Sequence, residues 1–98
     1  MPRVVWREDA KRQLRDITSY IKARNKSAAI SYAEGIREAC RGLSDFPEQG
    51  RRYDSAYRLI VYRNHVVFYR HERDVVEISA VIDGRRDISE ILSGLPRD

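Results

Sequence analysis

Arginine is the residue type in this sequence that is best suited to chemistry on a phosphate group. Guanidinium groups hold phosphate oxygens in bidentate fashion and stabilise the negative charge that develops when a phosphodiester is cleaved. Metal-free cleavage of RNA also needs a base for the 2′-hydroxyl and an acid for the leaving oxygen. Glu48 and His71 are candidate bases. The candidate catalytic cations of such a ribonuclease are Arg51, Arg58, Arg70 and Arg85.

The proton donor is the part of this ribonuclease site that the sequence lacks. No Tyr, His or Lys follows Asp83, and arginine is a poor acid because its pKa is above about 12. Tyr62 and Tyr69 remain as alternatives, although tyrosines on strands more often pack than react. The sequence therefore favours a binding function over a catalytic one, and a ribonuclease stays open as the alternative.

Metal and cofactor sites are not indicated by any motif. His65 and His71 lie in or beside a predicted strand without a His/Cys cluster. Cys40 falls among the apolar positions of a predicted helix, which is typical of a small core residue. No glycine-rich phosphate loop or nucleophile elbow is present. We expect neither a metal nor a cofactor.

Length and composition predict one globular domain over residues 1–98, with 42% hydrophobic and 35% charged residues. No apolar run reaches the roughly 18 residues that a transmembrane helix needs. The acidic residues Glu8 and Asp9 follow the N-terminus too early for a secretory signal. Because the lone Cys40 cannot form an internal disulfide, we expect no membrane association and a reducing, cytoplasmic setting.

The net charge of +4 has one local concentration. The stretch Arg51–Arg70 contains five arginines against the single acid Asp54. A basic patch of this size suits phosphates or an acidic segment of a partner protein. A solvated charged surface is the simpler interpretation and stays open at this point.

The centre of the chain predicts an antiparallel meander. Between Tyr57 and Asp83, three runs of β-branched and aromatic residues are separated by polar breaks. The first break, Arg63-Asn64, has the length of a tight hairpin loop, and Asn64 tolerates positive φ. The second break covers residues 71–74. In the last run, alternate positions are predicted to face inward together, namely Val76, Ile78, Ala80 and Ile82.

The first half of the chain predicts a short strand at Arg3–Trp6 and two antiparallel helices. The first helix is predicted from about Glu8 to Ala23. The second is capped by Asn25 or Ser27 and ends at Phe46-Pro47, since a residue before proline avoids the helical region. Residues 48–56 are expected to form a loop, and a short last helix is expected through Leu92. The order β-α-α-β-β-β predicts an α+β fold in which a helical hairpin packs on a small antiparallel sheet.

A second apolar strip lies beside the predicted core positions of the two helices. Such a strip on the outer side of a helical hairpin is a plausible groove for a helix of a partner protein. The alternative is that its tyrosines only shield the edge of the core. The strip consists of Tyr20, Ala28, Tyr32 and Ala39.

Nearly the whole chain resembles the RelE/ParE superfamily of type II toxin–antitoxin toxins, and the ParE branch most closely. The ordered set of residues at these spacings carries the resemblance, since no single piece is specific. The matching residues are Val5-Trp6, Ala10, Leu14, Ile17, Tyr20-Ile21, Ala28-Ala29, Tyr32, Ile36, Leu43, Phe46-Pro47, Gly50-Arg51, Tyr57-Arg58, Val66–Arg70, Val76-Glu77-Ile78, Ile82 and Gly84–Asp87.

The resemblance implies a RelE-like fold and a bacterial growth inhibitor that a ParD-like antitoxin neutralises with its C-terminal segment. ParE-like members are associated with poisoning DNA gyrase, whereas RelE-like members cut mRNA in the ribosome. Those nucleases carry a Tyr or His near the C-terminal end. This chain keeps Arg85 and Arg86 but lacks that residue, which favours the ParE-like role. A non-toxic basic binding module is a third possibility.

The resemblance, combined with the apolar strip, assigns expected roles to named residues. The antitoxin is expected to bind Tyr20, Ala28, Tyr32 and Ala39, with Arg58 and Arg70 as charged anchors. The gyrase-facing end is expected at Arg85 and Arg86. Sequence-specific DNA binding by this chain itself is not expected.

Overall fold

A five-stranded sheet with two long helices on one face forms the domain, in a computed structural model that describes residues 1–95. The order of strands across the sheet is β1-β5-β4-β3-β2. The strands are β1 (Arg3–Trp6), β2 (Arg51–Arg52), β3 (Arg58–Tyr62), β4 (His65–Glu72) and β5 (Val75–Asp83). The helices are α1 (Glu8–Lys22), α2 (Lys26–Arg41) and the short α3 (Ile88–Leu92).

The predicted α+β class and the meander are confirmed, and the sheet differs from the prediction in two ways. Strands β3, β4 and β5 pair antiparallel, but β1 pairs parallel with β5, with Val4 opposite Val76. The sheet is therefore mixed. The helical hairpin carries the chain from β1, at one edge of the sheet, to β2 at the opposite edge, and the long connection from β1 to β5 allows the two strands to pair in parallel. The second difference is β2, which lies inside the predicted loop 48–56 and pairs with β3.

The helical hairpin packs its small and aliphatic residues against the sheet. Ala10 and Leu14 of α1 are buried, and Arg7 at the start of the helix provides no side-chain cap. The cap of α2 is Asn25, whose side chain accepts a hydrogen bond from the backbone N–H of Ala28 at 3.0 Å. This helix ends at Arg41, earlier than predicted, and continues as a 3₁₀ turn over Gly42–Ser44. Glycine favours this change because it is a weak helix former.

Both hairpin turns place an arginine in the left-handed region. The positive φ of the first turn falls on Arg63, at 52°, and not on Asn64 as predicted. Arg73 has a φ of 56° in the second turn. The second break is also shorter than predicted, since β4 extends to Glu72.

A β-bulge in β5 divides the core between the two faces of the sheet. Tyr69 pairs with Ile78 and Phe68 pairs with Ala80, so Ser79 is left as an extra residue. The extra residue reverses the inside–outside alternation along the strand. The prediction that four alternate residues share one face is therefore wrong, although all four are buried. Val76, Ile78 and Val81 pack on the helical side, whereas Ala80 and Ile82 pack on the opposite side.

The face opposite the helical hairpin is covered by the C-terminal part of the described chain. Leu92 of α3 is fully buried there with Tyr57 and Phe68. The first turn of α3 is capped by Asp87, whose carboxylate accepts from the N–H of Glu90. None of the helices in residues 1–95 has the length and apolar character needed to cross a lipid bilayer.

The side chain of Gln13 should contribute measurably to stability through the bulge. Its Oε1 accepts a hydrogen bond at 2.8 Å from the backbone N–H of Val81, which lies two residues beyond the extra residue Ser79. In Gln13→Ala this buried N–H loses its partner, at a cost of about 1–3 kcal/mol. Denaturant unfolding of Gln13→Ala against the exposed control Gln49→Ala measures the difference. Equal unfolding free energies for the two variants would contradict this role.

Candidate functional site

A cleft of about 570 Å³ opens between α1, Tyr32 of α2 and the end of β5. Its floor is apolar and combines Ile17 and Ile21, one helical turn apart on α1, with Val81 of β5. Ile82 also borders the cleft, although it packs on the opposite side of the sheet. The rim is polar and charged and is formed by Gln13, Asp16, Tyr20, Tyr32, Asn64, His65, Asp83, Arg85 and Arg86.

An aromatic cluster forms the wall of the cleft that lies next to β4. The Tyr32 hydroxyl is 2.6 Å from Nδ1 of His65 and 3.4 Å from the carbonyl oxygen of Tyr62. The rings of Tyr32 and Tyr62 meet edge to face with centroids 5.2 Å apart. The guanidinium of Arg63 lies over both tyrosine rings, at 6.0 and 5.6 Å. These contacts hold Tyr32 and His65 in fixed positions.

Burial controls the protonation of this cluster. It lowers the pKa of His65, although Asp83 opposes this effect and Arg85 adds to it. It also raises the pKa of Tyr32. At neutral pH the imidazole and the phenol are therefore both uncharged. The wall presents neutral hydrogen-bonding groups to whatever enters the cleft.

A carboxylate–guanidinium pair lies beside this wall, because Asp83 pairs with His65 across β4 and β5. Nη2 and Nε of Arg85 donate to the Asp83 carboxylate at 2.7 and 3.1 Å, and the Arg85 backbone N–H donates to it as well. Hydrogen bonds from Arg85 hold the pKa of the Asp83 carboxyl far below its usual range. The Arg85 side chain is nevertheless 87% exposed. Its charge faces solvent, but it is already shared with Asp83.

Tyr20 forms the outer end of the cleft and is the most exposed tyrosine of the helical hairpin, at 65%. The guanidinium of Arg24 lies 4.6 Å from its ring centroid and donates to its hydroxyl. An exposed aromatic ring that carries a cation in this way offers apolar area and positive charge together. Both are suited to a partner protein.

The structure brings together four of the residues that the sequence assigned to two separate roles. Tyr20 and Tyr32, expected to bind the antitoxin, line the same cleft as Arg85 and Arg86, expected to face the target. Ala28 lies in the exposed first turn of α2, and Ala39 is half-buried about 10 Å beyond Tyr32 along that helix. Neither alanine lines the cleft.

Tyr62 occupies part of the strip that was predicted to form a groove along α2. A Cβ on Gly35 would lie 1.9 Å from the Tyr62 hydroxyl, so this tyrosine packs directly on the helix between Tyr32 and Ala39. The glycine is needed for this close approach. The open surface beside Tyr32 is therefore the cleft toward β5.

The four candidate ribonuclease arginines do not meet. Arg58 lies opposite Tyr69 on the helical side, and its Nη1 donates to the carbonyl oxygen of Gly50 at 2.9 Å. Arg70 lies near the Tyr57 ring on the other side and pairs with Glu77 at 3.1 Å. Arg51 lies on the edge strand β2. Arg85 follows β5 at the His65 end of β4, and Arg70 lies five positions further along β4 than His65, about 17 Å away.

The sequence did not identify His65 and Asp83 as members of the site. His65 was considered only as a metal ligand, and no group of His, Cys, Asp or Glu among residues 1–95 is arranged to hold a metal ion. The pairing of β4 with β5 places His65 directly opposite Asp83. The only signal in the sequence was that His65 begins one predicted strand and Asp83 ends the next one.

Cys40 should be unreactive in the folded protein. It is buried in the helical core, and burial raises the pKa of its thiol from 9.0 to about 12. Because the unfolded thiol ionises first, the stability from this group is complete below pH 9 and is lost as the pH rises toward 12. A thiol reagent at pH 8 should label the protein only after denaturation. Rapid labelling of the native protein would contradict this assignment.

Comparisons with known proteins place this geometry in context. Residues 4–88 match the family model described as the ParE toxin of the type II toxin–antitoxin system parDE. A solved structure described as the chromosomal ParDE TA system from P. aeruginosa matches with a TM-score of 0.75 and 16% sequence identity. The match covers 85% of this chain and 96% of that chain, and it confirms the predicted fold. Comparison with curated proteins gave no match.

Proposed function

Because the chain belongs to the ParE family of toxins from type II toxin–antitoxin systems, we propose that it stops bacterial growth by poisoning DNA gyrase and that a ParD-like antitoxin neutralises it. The family match over residues 4–88 is the observation that carries this proposal. The toxin would act in the cytoplasm, where gyrase and its DNA are found. It would bind its target and catalyse no reaction of its own.

The dispersion of the arginines supports binding over catalysis. A ribonuclease needs its cations around one phosphate, whereas Arg58 and Arg70 lie on opposite faces of the sheet and Arg85 lies beyond its far end. Arg58 and Arg70 also have local partners in the carbonyl oxygen of Gly50 and the carboxylate of Glu77. These two arginines suit the edges of an antitoxin interface better than a shared catalytic centre.

One observation favours the ribonuclease as a second candidate function. His65 and Tyr32 lie in the same cleft as Arg85 and Arg86, so a neutral imidazole and two guanidinium groups share one site. A neutral imidazole can act as a base toward a 2′-hydroxyl. Burial raises the pKa of Tyr32 and makes it a weaker acid, so a donor for the leaving oxygen is still lacking there.

Controlled expression in a bacterial host separates the candidates. The proposal predicts growth arrest accompanied by chromosomal double-strand breaks, and normal growth when a ParD-like antitoxin is co-expressed. Growth arrest with cleaved mRNA and intact DNA would support the ribonuclease instead. Full growth at confirmed protein levels would contradict both toxins and leave the basic binding module.

A further inference from the structure

We infer that a pocket beside Trp6 binds one nucleotide of an unpaired nucleic-acid strand, with the base on its apolar floor and the phosphates on its cationic rim. This Trp6 pocket has a volume of about 320 Å³ and is lined by Trp6, Lys11, Leu14, Arg15 and Arg37. The inference goes beyond the proposed function, because it assigns a second site and a ligand of a different class. It does not depend on which target the toxin inhibits.

Three elements of the fold build the Trp6 pocket at the edge of the sheet that β1 forms. Trp6 is the last residue of β1 and packs against the helical core while part of its surface stays exposed. Lys11 and Arg15 lie one helical turn apart on α1, about 6 Å, and Arg37 reaches the pocket from α2. Buried Leu14 completes the floor. An aromatic and an aliphatic side chain thus lie under three cations.

The Trp6 pocket and the cleft beside Tyr20 lie on opposite sides of α1. At 3.6 residues per turn, Lys11 and Arg15 point away from Gln13 and Tyr20, which line the cleft. A ligand in the Trp6 pocket therefore leaves the cleft open. The two sites can be changed independently by substitution.

The rim of the Trp6 pocket carries positive charge that is free to meet an anion. Arg15 and Arg37 are exposed, and within residues 1–95 neither has an ion-pair partner. Lys11 is paired with Glu8 at 3.1 Å. In the same part of the chain no carboxylate lines this pocket, whereas two carboxylates line the cleft beside β5. The Trp6 pocket is thus the better site for phosphates.

The apolar floor distinguishes a nucleotide of an unpaired strand from other anions. Bases stack on aromatic side chains irrespective of sequence, while Lys and Arg neutralise the adjoining phosphates. Free phosphate would use the cations and leave Trp6 and Leu14 uncovered, and the bases of a duplex are stacked on one another and out of reach. The volume is at the lower end of the range for small-ligand sites, which suits one nucleotide. Such binding reads no sequence, in agreement with the prediction that sequence-specific DNA binding is absent.

The experiment uses Trp6 to report on its own pocket, since it is the only tryptophan of the chain. Oligothymidine and oligouridine of equal length are titrated into the purified protein while tryptophan emission is followed. Stacking should quench this emission at saturation. The logarithm of the binding constant should fall with the logarithm of salt concentration with a slope of about −2, since each of three phosphate contacts contributes about 0.7. The oligonucleotide that binds more tightly identifies the strand as DNA or RNA.

Substitutions at the rim should change the affinity in both directions. Arg15→Gln and Arg37→Gln should each weaken binding by about fivefold and reduce the slope by about 0.7. Glu8→Gln should strengthen binding by about twofold, because it removes the carboxylate that competes for the lysine. The matched control is Arg12→Gln, which removes an exposed charge of α1 that pairs with Asp9 outside the pocket. It should bind within about twofold of the wild type, and thermal unfolding checks that each variant is folded.

The outcomes separate this inference from the proposed function. Saturating binding without quenching, or binding of heparin or duplex DNA with the same dependence on Arg15 and Arg37, would show recognition of charge alone and overturn the inference. The inference also fails if Arg12→Gln weakens binding as much as Arg15→Gln, or if the wild type binds neither oligonucleotide. None of these results bears on growth arrest or gyrase. A protein that binds the strand as predicted but does not stop growth would contradict the proposed function alone.

Discussion

The double variant Arg85→Ala with Arg86→Ala is expected to lose growth inhibition while folding as well as the wild type. Both side chains are exposed, and the ion pair of Arg85 with Asp83 lies at the surface, where such pairs contribute little to stability. Their removal takes two positive charges from the rim of the cleft that we propose faces the target. We expect colony formation under induction to rise by about three orders of magnitude or more, since arginine is among the residue types that contribute most to binding at protein interfaces.

The control for this result is a pair of arginines elsewhere on the helical hairpin. Arg12→Ala with Arg41→Ala removes the same charge from exposed ion pairs with Asp9 and Glu38. That variant should remain toxic. If the Arg85/Arg86 variant accumulates to the same level and still stops growth, the target-facing role of these two residues is wrong.

The Tyr69→Phe variant is expected to show the largest loss of stability among conservative substitutions. The Tyr69 hydroxyl is fully enclosed, accepts from the N–H of Gly50 at 2.9 Å and donates to the carbonyl oxygen of Pro47 at 2.8 Å. Phenylalanine keeps the ring and leaves both backbone groups without this partner, at a combined cost of roughly 2–4 kcal/mol. In a domain of this size, that loss lowers Tm by roughly 10–20 °C.

Tyr53→Phe is the matched control for this hydroxyl. Tyr53 packs its ring edge to face on Phe68 but is partly exposed, so removing its hydroxyl should change Tm little. Gly50 leaves no room beside the Tyr69 hydroxyl, because a Cβ on Gly50 would lie 2.5 Å from that hydroxyl. If Tyr69→Phe is as stable as Tyr53→Phe, the expectation is wrong: the Gly50 N–H and the Pro47 carbonyl oxygen would then replace the lost hydrogen bonds with water at no cost in free energy.

The elements of this fold that local physics controls could be predicted from the sequence. The helical core positions follow a spacing of three and four residues, and Ala29, Ala33, Ile36 and Cys40 are buried as that spacing predicts. The meander follows from runs of β-branched residues whose polar breaks fall at the observed turns. Here local propensity and burial favour the same structure, so each helix or strand could be predicted from its own segment of sequence.

The features that depend on pairing between strands could not be predicted. The parallel edge strand β1 and the two-residue strand β2 depend on contacts distant in sequence. The bulge at Ser79 shifts the register between β4 and β5 by one residue. Without it His65 would lie opposite Ile82, so its pairing with Asp83, and hence one side of the cleft, depends on a feature with no local sequence signal.

The roles assigned to side chains were the least predictable part. An apolar strip on a helix has no fixed partner until the fold places a neighbour against it. Tyr62 takes part of that strip, through its contact with Gly35. The remaining aromatic surface, at Tyr20, then joins residues that follow β5 at the opposite end of the sequence. Only the tertiary arrangement shows that residues expected to have two different roles line one cleft.

The most direct test of the proposed function is a gyrase cleavage assay with the purified chain. Gyrase, ATP and supercoiled plasmid are incubated with the protein, the reaction is stopped with detergent and protease, and linear DNA is quantified. We predict that linear DNA rises with the wild type, returns to background when a ParD-like antitoxin is added first, and stays at background with the Arg85/Arg86 variant. Background levels of linear DNA with a preparation that still arrests growth would contradict the proposal that this toxin poisons gyrase.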